Sequence, residues 1–270
     1  MKIYSLLLVK NEEDIIVSNL RAAAQWSDKL IVMDNGSTDN TWQIVQDLAK
    51  EYPQIIPFAQ DSQPFRIGLR ALMFNAFKHE MTKDDWWCIR LDADEFFVEN
   101  PRDFLQKIPH RYKQVWKESI DYQLTEEDIE EFEFVGDFEQ DKSKIAYYNK
   151  QTWSEIRFLR YSPKHTWDIE SRSPVPRGLV YPKKIRTTHY QFRSPQQLQT
   201  RFFVRQQAKA NNCNSFRHEK GEDYTFYLKK RADLYKDKGS GQYPTEGSRN
   251  KHIKKRNIIF KYILTWIGYY

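Results

Sequence analysis

An open α/β sheet, mostly parallel and covered by helices, is the fold this sequence predicts, and three observations predict it. The first is an unbroken apolar run at residues 3–9, of strand length, as a parallel strand buried on both faces requires. The second is the alternation that follows: short apolar runs at 30–33, 55–59 and 86–91, separated by stretches of helical periodicity at 11–26, 40–52 and 65–80. The third is that Asn11, Asp34 and the acids at 92–95 all fall just after predicted strands, where open sheets of this kind bind ligands.

Each element has its own local reason. Residues 3–9 lack a small-residue cleavage site and run directly into Lys10-Asn-Glu-Glu-Asp14, so they read as a strand rather than a signal peptide. In the first helix Ile15, Ile16, Leu20 and Ala23 share one side. The second strand closes in Asp34-Asn-Gly-Ser-Thr-Asp39, where Asn35-Gly36 gives a tight turn and Ser37, Thr38 or Asp39 can cap the next helix. That helix turns Ile44, Val45, Leu48 and Ala49 inward, and Pro53 ends it. Farther on, Thr125-Glu-Glu-Asp128 has the form of a helix start. Residues 156–161 and 179–181 read as strands, 195–210 as a helix, and 238–241 and 244–248 as loop; no internal repeat or low-complexity segment is present.

Composition narrows the function. With 40% apolar and 30% charged residues in a chain of 270, and a mean hydropathy of −0.81, neither a disordered chain nor a polytopic membrane protein fits. Two cysteines, Cys88 and Cys213, cannot build a disulfide scaffold or a four-thiolate zinc site, which points to a reducing compartment and a cytosolic enzyme. The net charge is +6, but the stretch 118–141 holds eleven acids and no Lys or Arg, which leaves +17 on the rest. A basic body with an acidic insert suggests anionic partners: nucleotide phosphates, nucleic acid or an acidic membrane surface.

The sharpest motif is Leu91-Asp-Ala-Asp-Glu-Phe96. A strand ending in Asp-x-Asp puts two carboxylates at one sheet edge, and a hard divalent cation resolves their repulsion; oxygen ligands suit magnesium or manganese. Asp34, at the neighbouring strand end, faces the same crevice and can accept a hydrogen bond from a base edge.

A first strand ending in Val9-Lys-Asn11-Glu, a second ending in Asp34-Asn-Gly-Ser-Thr-Asp39, and Asp92-Ala-Asp94-Glu after a fourth strand together resemble family 2 glycosyltransferases of the GT-A fold, over roughly the first hundred residues. Where that family usually shows a Pro-x-Tyr-Asn pattern, this chain has Val9-Lys10-Asn11, which is similar to bacterial surface-polysaccharide transferases. The resemblance implies a Rossmann-like α/β domain with a nucleotide-sugar half at 1–115, an acceptor and catalytic half at 116–215, and a helical extension at 216–270. It implies that Asn11, Glu12 and Asp34 line the nucleoside pocket, that Asp92 lies near ribose or metal, and that Asp94 ligates a Mn2+ or Mg2+ ion bridging the donor diphosphate. In Phe65-Arg-Ile-Gly-Leu-Arg70, Arg66 and Arg70 either offer guanidinium forks to the donor or stand on the surface. His189, in Thr188-His-Tyr190, is either a further metal ligand or a satisfied core histidine. Asp168 and Glu170 are the candidates for a carboxylate base or form surface salt bridges, with Glu95 or Glu155 next in line.

The function this implies is metal-dependent, inverting transfer from a nucleotide-diphosphate sugar, UDP-linked, to a glycan or lipid-linked acceptor of lipopolysaccharide or capsule type. A metal-dependent phosphohydrolase or nucleotidyltransferase is the first rival; a nucleic-acid binder is the second, although no known binding signature interleaves the basic and aromatic residues. The C-terminus adds a localisation. Residues 249–261 hold six Lys or Arg and no acid, and on a helix Ile259, Tyr262, Ile263, Trp266, Ile267 and Tyr270 share one face while Lys254, Asn257, Lys261, Thr265 and Gly268 share the other. That pattern fits a helix in the interface of an anionic membrane, peripheral on the inner face, or else one docked on the core or on a second subunit.

Overall fold

In the computed structural model, which describes residues 1–66, 68–175, 178–210, 223–250 and 255–267, four parallel strands carry the amino-terminal half. They are β1 (Ile3–Val9), β2 (Lys29–Asp34), β3 (Ile55–Gln60) and β4 (Trp86–Leu91), separated by α1 (Ile16–Ala24), α2 (Thr41–Glu51) and α3 (Arg70–Phe77). Their spatial order is β3-β2-β1-β4. The chain therefore builds outward from β1 in one direction, then returns to lay β4 on its other side, which leaves a crevice beyond the carboxyl ends of β1 and β4. The unbroken apolar run of β1 serves two cores. Ile3, Leu7 and Val9 pack with Ile16, Leu20 and Val45 on one face, and Tyr4 and Leu6 pack with Met73, Phe74 and Trp87 on the other.

The sheet continues into the second half through β5 (Glu95–Phe97), α4 (Pro101–Gln106), β6 (Tyr112–Gln123), α5 (Glu126–Glu131), α6 (Phe138–Asp141), β7 (Tyr147–Asn149), β8 (Trp153–Arg160), β9 (Leu179–Val180), β10 (Ile185–His189), α7 (Pro195–Ala210), β11 (Leu234–Lys236) and α8 (Lys255–Trp266). Strand β8 lies antiparallel between β4 and β6, and β6 also pairs in parallel with β9 and β10. Because both β4 and β6 run against β8, they point the same way, and the end of β6 at Asp121 opens on the same crevice as the end of β4. The result is the mixed, mostly parallel sheet flanked by helices that the sequence predicts, with a C-terminal helix. Of the predicted extension, residues 216–222, 251–254 and 268–270 lie outside the described residues, as does Cys213.

Several boundaries differ from the sequence reading, each for a local reason. The first helix starts at Ile16 rather than 11, because Asn11 takes a left-handed conformation (φ 53°) that turns the chain out of β1. Helix α3 starts at Arg70 rather than 65. Before it, Gly68 passes so close to the Ile169 carbonyl that a Cβ would stand 2.0 Å from the oxygen, so only glycine fits this crossing. Strands β6 and β10 have no counterpart in the sequence reading, and β8 begins three residues earlier than predicted.

Candidate active site

The loops after β1 and β2 are tied to each other. The Asn11 N–H donates to Ser37 Oγ (2.8 Å), Asn11 Oδ1 accepts from the Thr38 N–H (2.8 Å), and the Glu12 N–H donates to Thr41 Oγ1 (2.8 Å). Of the three residues offered as helix caps, Asp39 does hold the Thr41 N–H, whereas Ser37 and Thr38 bind the β1 loop instead. Asn35 Nδ2 donates to the carbonyls of Asp61 and Gln63 and so fixes the lead-in to α3. Lys10, Asn11, Glu12 and Asn35, with residues 62–66, line one end of a cavity of about 970 Å³. Asp34 is fully buried and not on the cavity surface; its Oδ1 accepts from the Ser37 N–H (2.8 Å), while its buried Oδ2 has no hydrogen-bond partner among the described residues.

The Asp-x-Asp acids part company in the structure. Asp92 is gripped by Arg70 Nη2 (2.8 Å) and Arg90 Nε (2.9 Å). Burial works to raise its pKa, but Arg90 and Arg70 outweigh burial and hold it far below the usual carboxylate range. With Glu95 and Glu155, Asp92 brings donor atoms within 4.8 Å of one another, a spacing that could hold a metal ion. Those charges are already answered, however: Lys117 and Arg157 pair with Glu95, and Arg90, Arg157, Lys117 and Arg172 surround Glu155. The crowding that in the sequence calls for a cation is here relieved by arginines and a lysine supplied by β4, β6, β8 and α3. Arg70 is one of them. It is buried and committed to Asp92, so it is neither a surface residue nor a free fork for the donor.

Asp94 stands apart from that lattice. Its Oδ2 faces His189 Nε2 at 3.3 Å, and His189 Nδ1 meets Asp121 Oδ1 at 3.0 Å. Burial would lower the imidazole's pKa, but the Asp94 charge and the Asp121 hydrogen bond raise it to about 10. Asp121 also takes Ser119 Oγ (2.7 Å) and Arg249. Beneath them, Arg193 is almost wholly buried and donates to both oxygens of Asp14 (2.8 Å each) and to Glu12 Oε2 (2.7 Å). Burial, only partly offset by Arg193, pushes Glu12 up to about 7. A carboxylate and an imidazole nitrogen side by side, the imidazole braced from behind by a second carboxylate, form a donor set that suits a divalent cation, which would take the place of the imidazolium proton.

The opposite wall is α7, which presents Gln197, Thr200, Arg201, Val204 and Arg205 to the cavity. Arg201 Nη2 donates to Gln191 Oε1 (3.4 Å), its guanidinium lies over the Phe192 ring, its buried Nε has no partner, and it makes no ion pair among the described residues. Burial lowers the pKa of Arg201, and pushes that of Arg205 down to about 9 with help from the Arg201 charge. Trp153, Arg172 and Arg249 line the mouth beside β6 and β8.

Asp168, Glu170 and Arg66, expected at the site, are not brought to its chemistry, and Asp34, expected to line the nucleoside pocket, is buried outside the cavity lining because the Ser37 N–H and the neighbouring strands enclose it. Asp168 and Glu170 are exposed and line no part of the cavity; Asp168 Oδ1 accepts from the Glu170 N–H (2.8 Å), and Glu170 pairs with Arg66 (2.7 Å). Arg66 lines the cavity rim, with half its side chain exposed and its charge spent on Glu170. Asn75 ties α3 to the Trp167 carbonyl (2.9 Å) and plays a structural part. Conversely, Lys117, Asp121, Arg157, Arg193 and Arg201 went unread. Lys117 and Arg157 carry no clear local signal, since each lies among other charged residues, Glu118 and Asp121 around the one and Glu155 and Arg160 around the other.

A crevice at the carboxyl ends of a parallel sheet, with an acid pair and a histidine from a distant strand, is the ligand-binding arrangement of open α/β folds. Residues 6–168 match glycosyl transferase family 2, and the chain belongs to that family, with a sheet of GT-A type. No curated protein matches it. Among solved structures it is similar to the mannosyltransferase PcManGT from Pyrobaculum calidifontis in complex with GDP-Man and Mn2+, at 15% identity and a TM-score of 0.33. That match spans 59% of this chain and 44% of the other, so the chain covers less than half of that neighbour's length.

Proposed function

We propose that the chain is a metal-assisted, inverting glycosyltransferase that moves a sugar from a nucleoside-diphosphate donor, UDP-linked, to a hydroxyl of a growing surface glycan of lipopolysaccharide or capsule type. One observation carries the reading: within a family 2 chain, a single cavity joins the loops around Asn11, Glu12 and Asn35 to Asp94, His189 and Arg201. Its volume, about 970 Å³, lies at the upper end of small-ligand sites and leaves room for a donor and the end of an acceptor.

Asn11 and Glu12 border the base and ribose, while Asp34, buried behind the cavity wall, holds the Ser37 N–H and so shapes the β2 loop beside them. Asp94 and His189 would hold Mn2+ or Mg2+, which when bound supplies positive charge to the leaving diphosphate. Arg201, with Arg205 one turn on, offers guanidinium donors to the same phosphates from the α7 wall. The acceptor hydroxyl enters past Trp153, gives its proton to a carboxylate, and attacks the anomeric carbon as the bond to the diphosphate breaks, the electron pair leaving with the nucleotide. The base candidate on the cavity wall is Glu155, since Asp121 is held by His189, Ser119 and Arg249, and Asp168 and Glu170 stand outside the cavity. We place the enzyme on the cytoplasmic face of a membrane, through the C-terminal helix.

Thermal shift against nucleosides, nucleotides and nucleotide sugars, with and without manganese, tests this. Free ligand at about 100 times its dissociation constant stabilises by about 2.7 kcal/mol. UDP and a UDP-sugar should therefore raise the melting temperature by several degrees, and more so with manganese. Indifference to every nucleoside diphosphate, or phosphate release from simple esters, overturns the reading in favour of a phosphohydrolase.

A further inference from the structure

We infer that α8 seats the protein on an anionic bilayer by its apolar side, and that it does so from the end of the sheet opposite the cleft, so that the cleft opens to water and not to lipid. The cleft's role rests on the transferase reading; the seating does not.

The helix is turned inside out. Ile259 is 61% exposed, Phe260 59%, Ile263 50%, Trp266 88% and Ile267 59%, whereas Lys261, Leu264 and Thr265 are partly covered. The Lys261 ammonium even donates to the Gly178 carbonyl (3.3 Å). A helix docked on its own core buries its apolar stripe; this one packs by its polar side and leaves a contiguous apolar face for something else.

Charge selects the occupant. From Gly247 to Tyr270 there is no Asp or Glu; of the six Lys or Arg at 249–261, Arg249 is taken by Asp121 at the cleft and Lys261 by the Gly178 carbonyl, which leaves Lys251, Lys254, Lys255 and Arg256 in the sequence leading into and opening α8. A symmetric contact with a second copy would set that basic stretch against itself. An anionic lipid surface answers both features at once, taking apolar side chains among acyl chains and Lys and Arg at the headgroups. Twelve residues are too short to cross, and no helix among the described residues is long and apolar enough to do so. Position sets the orientation. Helix α8 lies against β9, which pairs with β6 at Tyr112, while the cleft residue Asp121 is nine residues along the same strand, roughly 30 Å away.

Flotation of the full chain with phosphatidylcholine vesicles, with and without phosphatidylglycerol, tests the seating without reference to activity. Binding is expected only with phosphatidylglycerol, weakened by salt, and reduced at least about tenfold in Ile263→Asp/Trp266→Asp, a variant whose exposed sites should leave the melting temperature unchanged. A folded wild type that ignores these vesicles overturns the inference, as does a dimer in sedimentation that the same variant dissociates. Trypsin reads the orientation: on vesicles, cleavage after Lys261 should slow more than about tenfold while cleavage after Arg172 at the cleft mouth keeps its rate. Protection of Arg172 instead would turn the cleft to the lipid and overturn that part.

Discussion

His189 sits between Asp94 and Asp121, and the two carboxylates do different work. Asp94 shares the face a metal would occupy, whereas Asp121 fixes the tautomer and direction of the ring from behind. Asp121→Asn should therefore keep the fold and weaken manganese binding about 10–100-fold, read as the midpoint of a manganese titration by calorimetry. An unchanged midpoint would remove His189 from the metal shell. Arg201 makes a second residue-scale case, because its charge has no carboxylate within ion-pair distance among the described residues and faces the cavity. A charge-assisted hydrogen bond contributes about 1.5–3 kcal/mol. Arg201→Ala should accordingly weaken binding of the nucleoside diphosphate about 10–100-fold and leave the nucleoside alone unaffected. Equal weakening of both would show that the residue props α7 instead.

At the scale of elements, what the sequence made legible follows its apolar patterning. Strands β1 to β4 are apolar on both faces because helices cover both, so their runs stand out and their acid-rich ends with them. Strand β6 hides for the opposite reason: its cavity face is Lys117, Ser119 and Asp121, so a buried strand reads as polar chain. Strand β10 is five residues long with only Ile185 strongly apolar, which left His189 placed by resemblance rather than by pattern. Helix α7 is visible in the sequence as a helix, but the cavity-facing role of Arg201 depends on where the fold seats that helix, and no local pattern encodes that. The segment holding Asp168 and Glu170 shows the reverse case, since its place between the acid motif and His189 suggested, by resemblance, a base that the packing puts outside the cavity. Asp168→Asn and Glu170→Gln should each keep kcat within about twofold, as exposed substitutions do. A fall of more than about tenfold in kcat with donor KM unchanged would mean that this segment closes over the cleft and carries the base.

For the whole molecule, the buried charges make stability a function of pH whose sign can be worked out. Asp92, Asp94 and Asp121 are held below their ordinary pKa, and Glu155 is lowered to about 2 because Arg157, Arg90 and Lys117 outweigh its burial. Their stabilisation is present above about pH 4 and is lost as pH falls through the folded values, when the unfolded chain has long since taken up its protons. Two groups work the other way. Glu12, raised to about 7 chiefly by burial, keeps a proton in the fold that the unfolded chain releases near pH 4.5, so the fold weakens as pH rises from there to 7. His189, raised to about 10 against its burial by Asp94 and Asp121, contributes stability that is complete below about pH 6.5 and is lost as pH climbs through 10. Both slopes descend together, so the metal-free protein should be most stable near pH 5 and lose stability steadily toward pH 9. At about 1.4 kcal/mol for each tenfold change in proton affinity, the Glu12 part amounts to at most a few kcal/mol. Calorimetric melting in EDTA from pH 3 to 10 measures the curve, and Glu12→Gln should flatten its descent between pH 5 and 7 while leaving the acid limb in place. A melting temperature that rises from pH 5 to 8 would contradict the burial of Glu12 beside Arg193, and with it the way Arg193 anchors the β1 loop under the cleft.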